Sequence, residues 1–295
     1  MSPLIPFLVA TLGIALFALM DAVVKGLSLE MGAYNALLWR TLCMMLLACG
    51  LYLWRRPQWP EARVLRLHIW RGAVISVTAF LFFYGLVYIP LAEAIALSFI
   101  APLLALYLAA LLLGEQVGGR AVSASIIGFL GALIVIGGKL SSDYGDDVLV
   151  GIVSILMSAT LYAYNLILQR QQALLAGPVE IVFFQTAAVL FAYLLVSPFF
   201  ARVPPPESGP ELVLAAGLSI VSLMLLSWAY ARVEARILIS VEYTAFIWAA
   251  LLGWLMFREQ LTFATLLGTG LIVAGCLLAA SQKSRPVDHV ETTVV

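Results

Sequence analysis

Ile237-Leu-Ile-Ser-Val-Glu242-Tyr-Thr-Ala-Phe-Ile-Trp-Ala-Ala-Leu-Leu-Gly-Trp-Leu-Met-Phe257 is a run of 21 residues with one acidic and no basic side chain. At about 1.5 Å per residue a helix of this length crosses the hydrocarbon core of a bilayer. Glu242 stands five residues in from one end, on the order of 7 Å below the membrane surface. An unpaired charge at that depth costs several kcal/mol, so Glu242 is expected to have either a partner or a task.

The remainder of the chain has the same character. Of its 295 residues 63% are hydrophobic and 11% charged, and the mean hydropathy is +1.06. A soluble domain carries about 25% charged residues, so the composition is that of a multi-pass membrane protein. Net charge is zero and the basic residues form no patch suited to nucleic acid. Cys43, Cys49 and Cys276 lie inside apolar stretches, without metal-ligand spacing. No Gly-x-Ser-x-Gly, His-Glu-x-x-His or phosphate-binding Gly-x-x-x-x-Gly-Lys motif occurs. We therefore expect no enzyme, no cofactor, no metal and no ATP-driven pump. The N-terminal stretch has no basic flank and no small-residue cleavage site before Asp21, and reads as a first membrane span.

Ten apolar spans follow from hydropathy: 4–25, 34–54, 70–88, 91–113, 120–139, 148–169, 178–200, 210–231, 237–257 and 262–281. Pro90 forces a tight turn between the third and fourth. The longest basic loop joins the second and third, with Arg55, Arg56, Arg63, Arg66 and Arg71. Placing it inside puts 11 basic residues on the inner side and 4 on the outer, which predicts cytoplasmic N- and C-termini in a cell inner membrane.

The chain also repeats itself. Leu113-Gly-Glu115-Gln116 and Phe257-Arg-Glu259-Gln260 are 144 residues apart, and the same shift pairs Asp21 with Asn165, Lys25 with Gln169, Tyr84 with Trp228 and Ser98 with Glu242. Five spans per copy is an odd number, so the second copy must enter the membrane from the opposite face. The expected fold is all-α integral membrane: ten transmembrane helices as two inverted five-helix repeats, 4–139 and 148–281, around a central cavity. Residues 282–295 form a polar cytoplasmic tail.

In this order, Phe17-Ala-Leu-Met-Asp21-Ala-Val-Val-Lys25, Trp39-Arg40, Gly114-Glu115, a glycine-rich fifth span and a second copy closing on Arg258-Glu259 resemble the drug/metabolite transporter superfamily, in particular its EamA-type ten-helix members. The resemblance covers about residues 4–281 and implies a 5+5 inverted bundle that exports amino acids or related small metabolites. Many members carry proline in the ninth helix where this chain has Tyr243.

Topology sorts the embedded polar residues into two layers. Asp21, Lys25 and Arg40 fall in the outer third; Asp21 and Lys25 are one helical turn apart and can share a face with Arg40 joining them. They read as a gating or structural salt bridge, with substrate contact as the alternative. Asn165, Gln169, Gln185 and Glu242 fall in the inner third, with no Lys or Arg expected at the depth of Glu242. Glu242 would bind a substrate ammonium or carry a coupling proton, unless it serves structurally. Ser154, Ser158, Tyr162, Asn165 and Gln169 share one helix face, which is either cavity wall or helix-packing glue. Tyr84, Trp228 and Tyr243 could cup a cation or stack on an aromatic group, or simply pack, and Ser98 is the outer mate of Glu242. Ala124-xxx-Gly128 and Gly270-xxx-Ala274 read as close-packing sites. The expected partners are lipid, a small metabolite and possibly protons, in a monomer, with a dimer as the alternative. The other candidate activity is import or exchange of a larger cationic metabolite such as S-adenosylmethionine. An intramembrane enzyme ranks last.

Overall fold

A computed structural model describes residues 4–55, 59–113, 119–140, 147–173, 175–230, 241 and 243–280. Eleven α-helices occur among them: α1 Leu4–Met31, α2 Ala33–Arg55, α3 Ala62–Leu86, α4 Leu91–Ser98, α5 Ala101–Leu113, α6 Gly119–Leu140, α7 Val148–Ala173, α8 Pro178–Phe200, α9 Gly209–Tyr230, α10 Thr244–Phe257 and α11 Phe263–Ala280. A single 3-10 turn, Pro206–Ser208, precedes α9. Six stretches are long and apolar enough to cross a bilayer, and four apolar helices are shorter: Leu91–Ala105, Val122–Gly138, Thr244–Phe257 and Phe263–Leu278.

The ends of the helices follow local chemistry. α1 stops at Gly32, whose φ of +83° is the left-handed geometry that glycine adopts without strain. Its N–H donates to Ser28 O at 3.0 Å, closing the last turn. Pro90 caps α4, because it has no N–H to leave unsatisfied. α4 and α5 are one span broken at Phe99 and Ile100, and α10 begins directly after a turn residue, Tyr243. Phe99 and Tyr243 are 144 residues apart, and their rings meet edge to face with centroids 5.2 Å apart.

The most extensive contacts between the two halves come in pairs under the same shift. α1 lies along α9 and α3 along α7; α2 packs on α9 and α3 on α8; α1 meets α10 and α5 meets α7. The pairs α2–α8 and α6–α11 map onto themselves. Within α6–α11 a Cβ on Gly131 would stand 2.5 Å from Gly268 O, and one on Gly275 would stand 2.6 Å from Ala124 O. These two contacts exchange under the shift. The backbones touch at Gly131, Gly268 and Gly275, whereas Gly270, expected to pack, has open space around it.

Large apolar side chains cover the outside: Leu111 is 81% exposed, Phe199 80% and Leu46 68%. With helices of this length, such a surface is that of a multi-pass membrane protein, because a water-soluble chain does not leave so much apolar area uncovered.

One boundary moved with consequences. Hydropathy starts the third span at 70, but α3 starts at Ala62. Val64, His68, Arg71 and Gly72 form its buried stripe at helical spacing. Arg71 and His68 are thus helix residues inside the bundle, not loop residues.

Candidate functional site

Polar side chains gather at two levels of the bundle, here called the Gly32 end and the Gly177 end after the turns that mark them. At the Gly32 end Lys25 is 4% exposed. Its Nζ pairs with Glu259 Oε1 at 2.5 Å and donates to Ile89 O at 2.8 Å. The other oxygen, Glu259 Oε2, accepts from the Leu91 N–H at 2.8 Å, at the positive N-terminus of α4. Arg258, with φ +57°, turns the chain back so that Glu259 reaches this place. The carboxylate thereby ties α1, α4 and the end of α10 together. Lys25 therefore does not form the expected bridge to Asp21, one turn away on its own helix.

Asp21 and Arg40 are the residues this leaves over. Asp21 is 4% exposed and makes no hydrogen bond or ion pair among the described residues. α1 extends to Met31, six residues past the expected end, so Asp21 lies about 15 Å from that end and closer to mid-bundle than the outer third. Arg40, from α2, donates through Nη1 to the Met20 thioether at 3.2 Å and lies over the Phe83 ring at 5.8 Å. Its buried Nε has no acceptor. The two charges are near enough to interact electrostatically, yet no Arg40 nitrogen lies within 4.0 Å of an Asp21 carboxylate oxygen. Tyr193 stands beside Arg40 with its hydroxyl donated to Ser76 O at 2.9 Å.

The Gly177 end is built differently. Arg71 is 6% exposed. Its Nε donates to Asn165 Oδ1 at 2.9 Å, its Nη2 to Gln169 Oε1 at 3.2 Å, and its Nη1 to Gln172 Oε1. Gln172 Nε2 contacts His68 Nδ1 at 2.5 Å, and His68 Nε2 faces Glu180 Oε1 at 3.1 Å. With the amide donating to Nδ1, the imidazole carries its proton on Nε2 and donates a hydrogen bond from it to Glu180 Oε1. Phe184 stacks on the ring at 5.4 Å. This corrects the expectation of a layer without a cation: Arg71 occupies it, held by the amides that replace Asp21 and Lys25 in the second copy.

The other predicted residues scatter. Ser158 donates to Thr78 O at 2.8 Å, which joins α7 to α3. Tyr162, 42% exposed, and Gln169 lie toward the open edge of the α7 stripe, while Ser154 is buried and Asn165 meets Arg71 of α3. Gln185 is half-buried on α8. Ser98 bonds back to Ala94 O within its own helix at 2.8 Å. Tyr84 stacks on Phe80 and its hydroxyl accepts from Tyr88 at 3.2 Å, while Trp228 packs beside Ala10 and Val241 at the opposite end. The structure does not bring Tyr84, Trp228 and Tyr243 into one aromatic cup. Glu242, Glu115 and the tail 282–295 lie outside the described residues.

Four groups went unrecognised in the sequence. Glu259 was visible only as a repeat motif, and His68 and Gln172 as isolated polar residues. Glu93, 1% exposed, accepts from Thr265 Oγ1 at 3.0 Å; its signal was being the sole acidic residue in an apolar span. No group of three or more His, Cys, Asp or Glu suited to a metal occurs among the described residues.

Comparison with known proteins agrees with this architecture. A pseudopaline exporter of Pseudomonas aeruginosa is 29% identical over 281 residues, covering 94% of this chain and 96% of the relative. An S-adenosylmethionine uptake transporter of Rickettsia felis is 24% identical over 227 residues, covering 76% of this chain and 74% of the relative. A solved crystal structure superposes with a TM-score of 0.59 at 21% identity, covering 94% of this chain and 96% of that one; it bears on the fold alone. The family and these relatives are transporters and not enzymes. The EamA-like transporter family model matches residues 4–137 and again 149–281, and this chain belongs to that family.

Proposed function

We propose that the protein is a secondary transporter that exports amino acids or related small metabolites by alternating access. In this reading it has ten membrane spans, in two inverted halves of five, with both termini in the cytoplasm of a bacterial-type cell. The observation that carries it is the exchange of contacts under the 144-residue shift. An inverted pair of halves touches at equivalent residues only along its pseudo-two-fold axis, and Phe99 meets Tyr243 there.

Each end of the bundle then holds one tie between the halves. Lys25, Leu91 and Glu259 join them at the Gly32 end, and Arg71 with the α7 amides joins them at the Gly177 end. Alternating access requires one tie to open while the other holds. Glu242 remains a proposed site for a substrate ammonium or a coupling proton; a Glu242→Gln variant with wild-type transport and unchanged pH dependence would remove it. The Rickettsia felis relative supports the second reading, import or exchange of a larger cationic metabolite.

The test is counterflow in proteoliposomes. Vesicles loaded with unlabelled amino acids or S-adenosylmethionine are offered the labelled compound. Accumulation of an amino acid supports the first reading, accumulation of S-adenosylmethionine alone supports the second, and none with any metabolite sinks both.

A further inference from the structure

We propose that Asp21 and Arg40 form the head-group site of this transporter and bind a zwitterion of the α-amino-acid type. Arg40 takes its carboxylate and Asp21 its ammonium. The inference rests on the transport reading and adds which atoms recognise which end of the substrate.

The starting point is a pair of unmet requirements. A carboxylate 4% exposed without a hydrogen bond is expensive. So is a guanidinium whose one hydrogen-bond acceptor among the described residues is a thioether: sulfur is a weak acceptor, and Arg40 Nε has none. The same fold shows what a satisfied guanidinium looks like, because Arg71 spends three nitrogens on amide oxygens. The tyrosines nearby direct their protons elsewhere and make no hydrogen bond to Arg40. The Tyr193 hydroxyl is donated to Ser76 O, and Tyr34 donates to Tyr193 O at 2.7 Å.

Charge selects the ligand class. A simple cation drawn to Asp21 is repelled by Arg40, and a simple anion drawn to Arg40 is repelled by Asp21. A molecule carrying both charges on neighbouring atoms is attracted by both. Asp21 and Arg40 interact electrostatically but form no ion pair with each other, so a ligand that carries both charges can give each the partner it lacks. Phe83, 3% exposed, and Met20, 2% exposed, give the site apolar walls, where charge-assisted hydrogen bonds are strengthened. Lys25 does not compete, since Glu259 holds it.

The test uses three probes matched in carbon chain: norleucine, hexanoate, which lacks the ammonium, and pentylamine, which lacks the carboxylate. Binding to the full chain in lipid nanodiscs is read by calorimetry. Norleucine should bind wild type about ten- to a hundredfold more tightly than either analogue, the loss of one charge-assisted bond. Asp21→Asn should erase the advantage over hexanoate and Arg40→Gln the advantage over pentylamine, while Asp21→Glu restores part of it. Thermal unfolding of each variant checks that it is folded.

Equal binding of norleucine and hexanoate overturns the proposal, as does absence of norleucine binding to wild type. So does an Asp21→Asn variant that keeps the preference and loses only pH dependence, which would make Asp21 a proton carrier. Counterflow of other metabolites under those results would leave the transport reading standing.

Discussion

The two copies of the first helix, α1 and α7, meet the problem of buried polarity in opposite ways. In α7 the positions equivalent to Asp21 and Lys25 are Asn165 and Gln169, and with Gln172 they surround Arg71 with neutral oxygens. Each of these side chains is bonded to another, and the cation is linked to Glu180 through Gln172 and His68. In α1 one cation, Lys25, is matched to a carboxylate from the far half, while Asp21 and Arg40 remain unmatched across a gap. A saturated network fixes structure. An unsaturated pair of opposite charges costs stability, and proteins keep such costs where a ligand removes them. The asymmetry therefore separates a layer that holds the bundle from a layer that reads a substrate.

Substitutions can break that contrast in order of size. Glu259→Ala removes the carboxylate that pairs with buried Lys25 and the acceptor for the Leu91 N–H; it should destabilise by about 3–5 kcal/mol, measured by detergent-denaturant titration in mixed micelles. Adding Lys25→Met should recover much of that loss, because the buried ammonium that Glu259 balanced is then gone too. Arg71→Met should cost about 1–3 kcal/mol, since Asn165 and Gln172 are buried and can re-pair only in part. Gly253→Ala should cost least, about 1.5 kcal/mol. A Cβ there would stand 2.4 Å from Glu259 Oε2, and the flexible carboxylate can move aside at the expense of a bond to Lys25 or Leu91. A Gly253→Ala loss as large as that of Glu259→Ala would mean that the carboxylate cannot yield.

How much of this was legible before the structure depends on which physical signal carried it. Helix content, membrane character and family followed from long apolar runs and the spaced repeat of Gly114-Glu115 with Arg258-Glu259, because hydrophobic length and motif order are properties of the sequence itself. The Lys25 partner was not legible. Asp21 is one turn from Lys25, and helical spacing favours that pair, but a carboxylate 234 residues away with a helix N-terminus behind it offers a better-matched site. Arg71 was hidden by hydropathy, which treats a charge near a span's end as loop. The buried stripe Val64, His68, Arg71 and Gly72 held the correct signal in its period. The polar face of α7 was read as one surface, yet it divides: Ser158 and Asn165 bind α3 while Tyr162 stays uncovered. Sequence periodicity gives a face, and only packing says what covers each part of it.

The most direct test compares Asp21→Asn with Arg71→Met in one preparation, following denaturant-induced unfolding and the preference for norleucine over hexanoate. The account predicts that Arg71→Met unfolds earlier and retains the preference. Asp21→Asn should unfold within about 0.5 kcal/mol of wild type or later, because it removes the burial cost of a carboxylate that makes no hydrogen bond or ion pair among the described residues, and should lose the preference. The reverse assignment, with Asp21→Asn unfolding early and Arg71→Met losing discrimination, would contradict it.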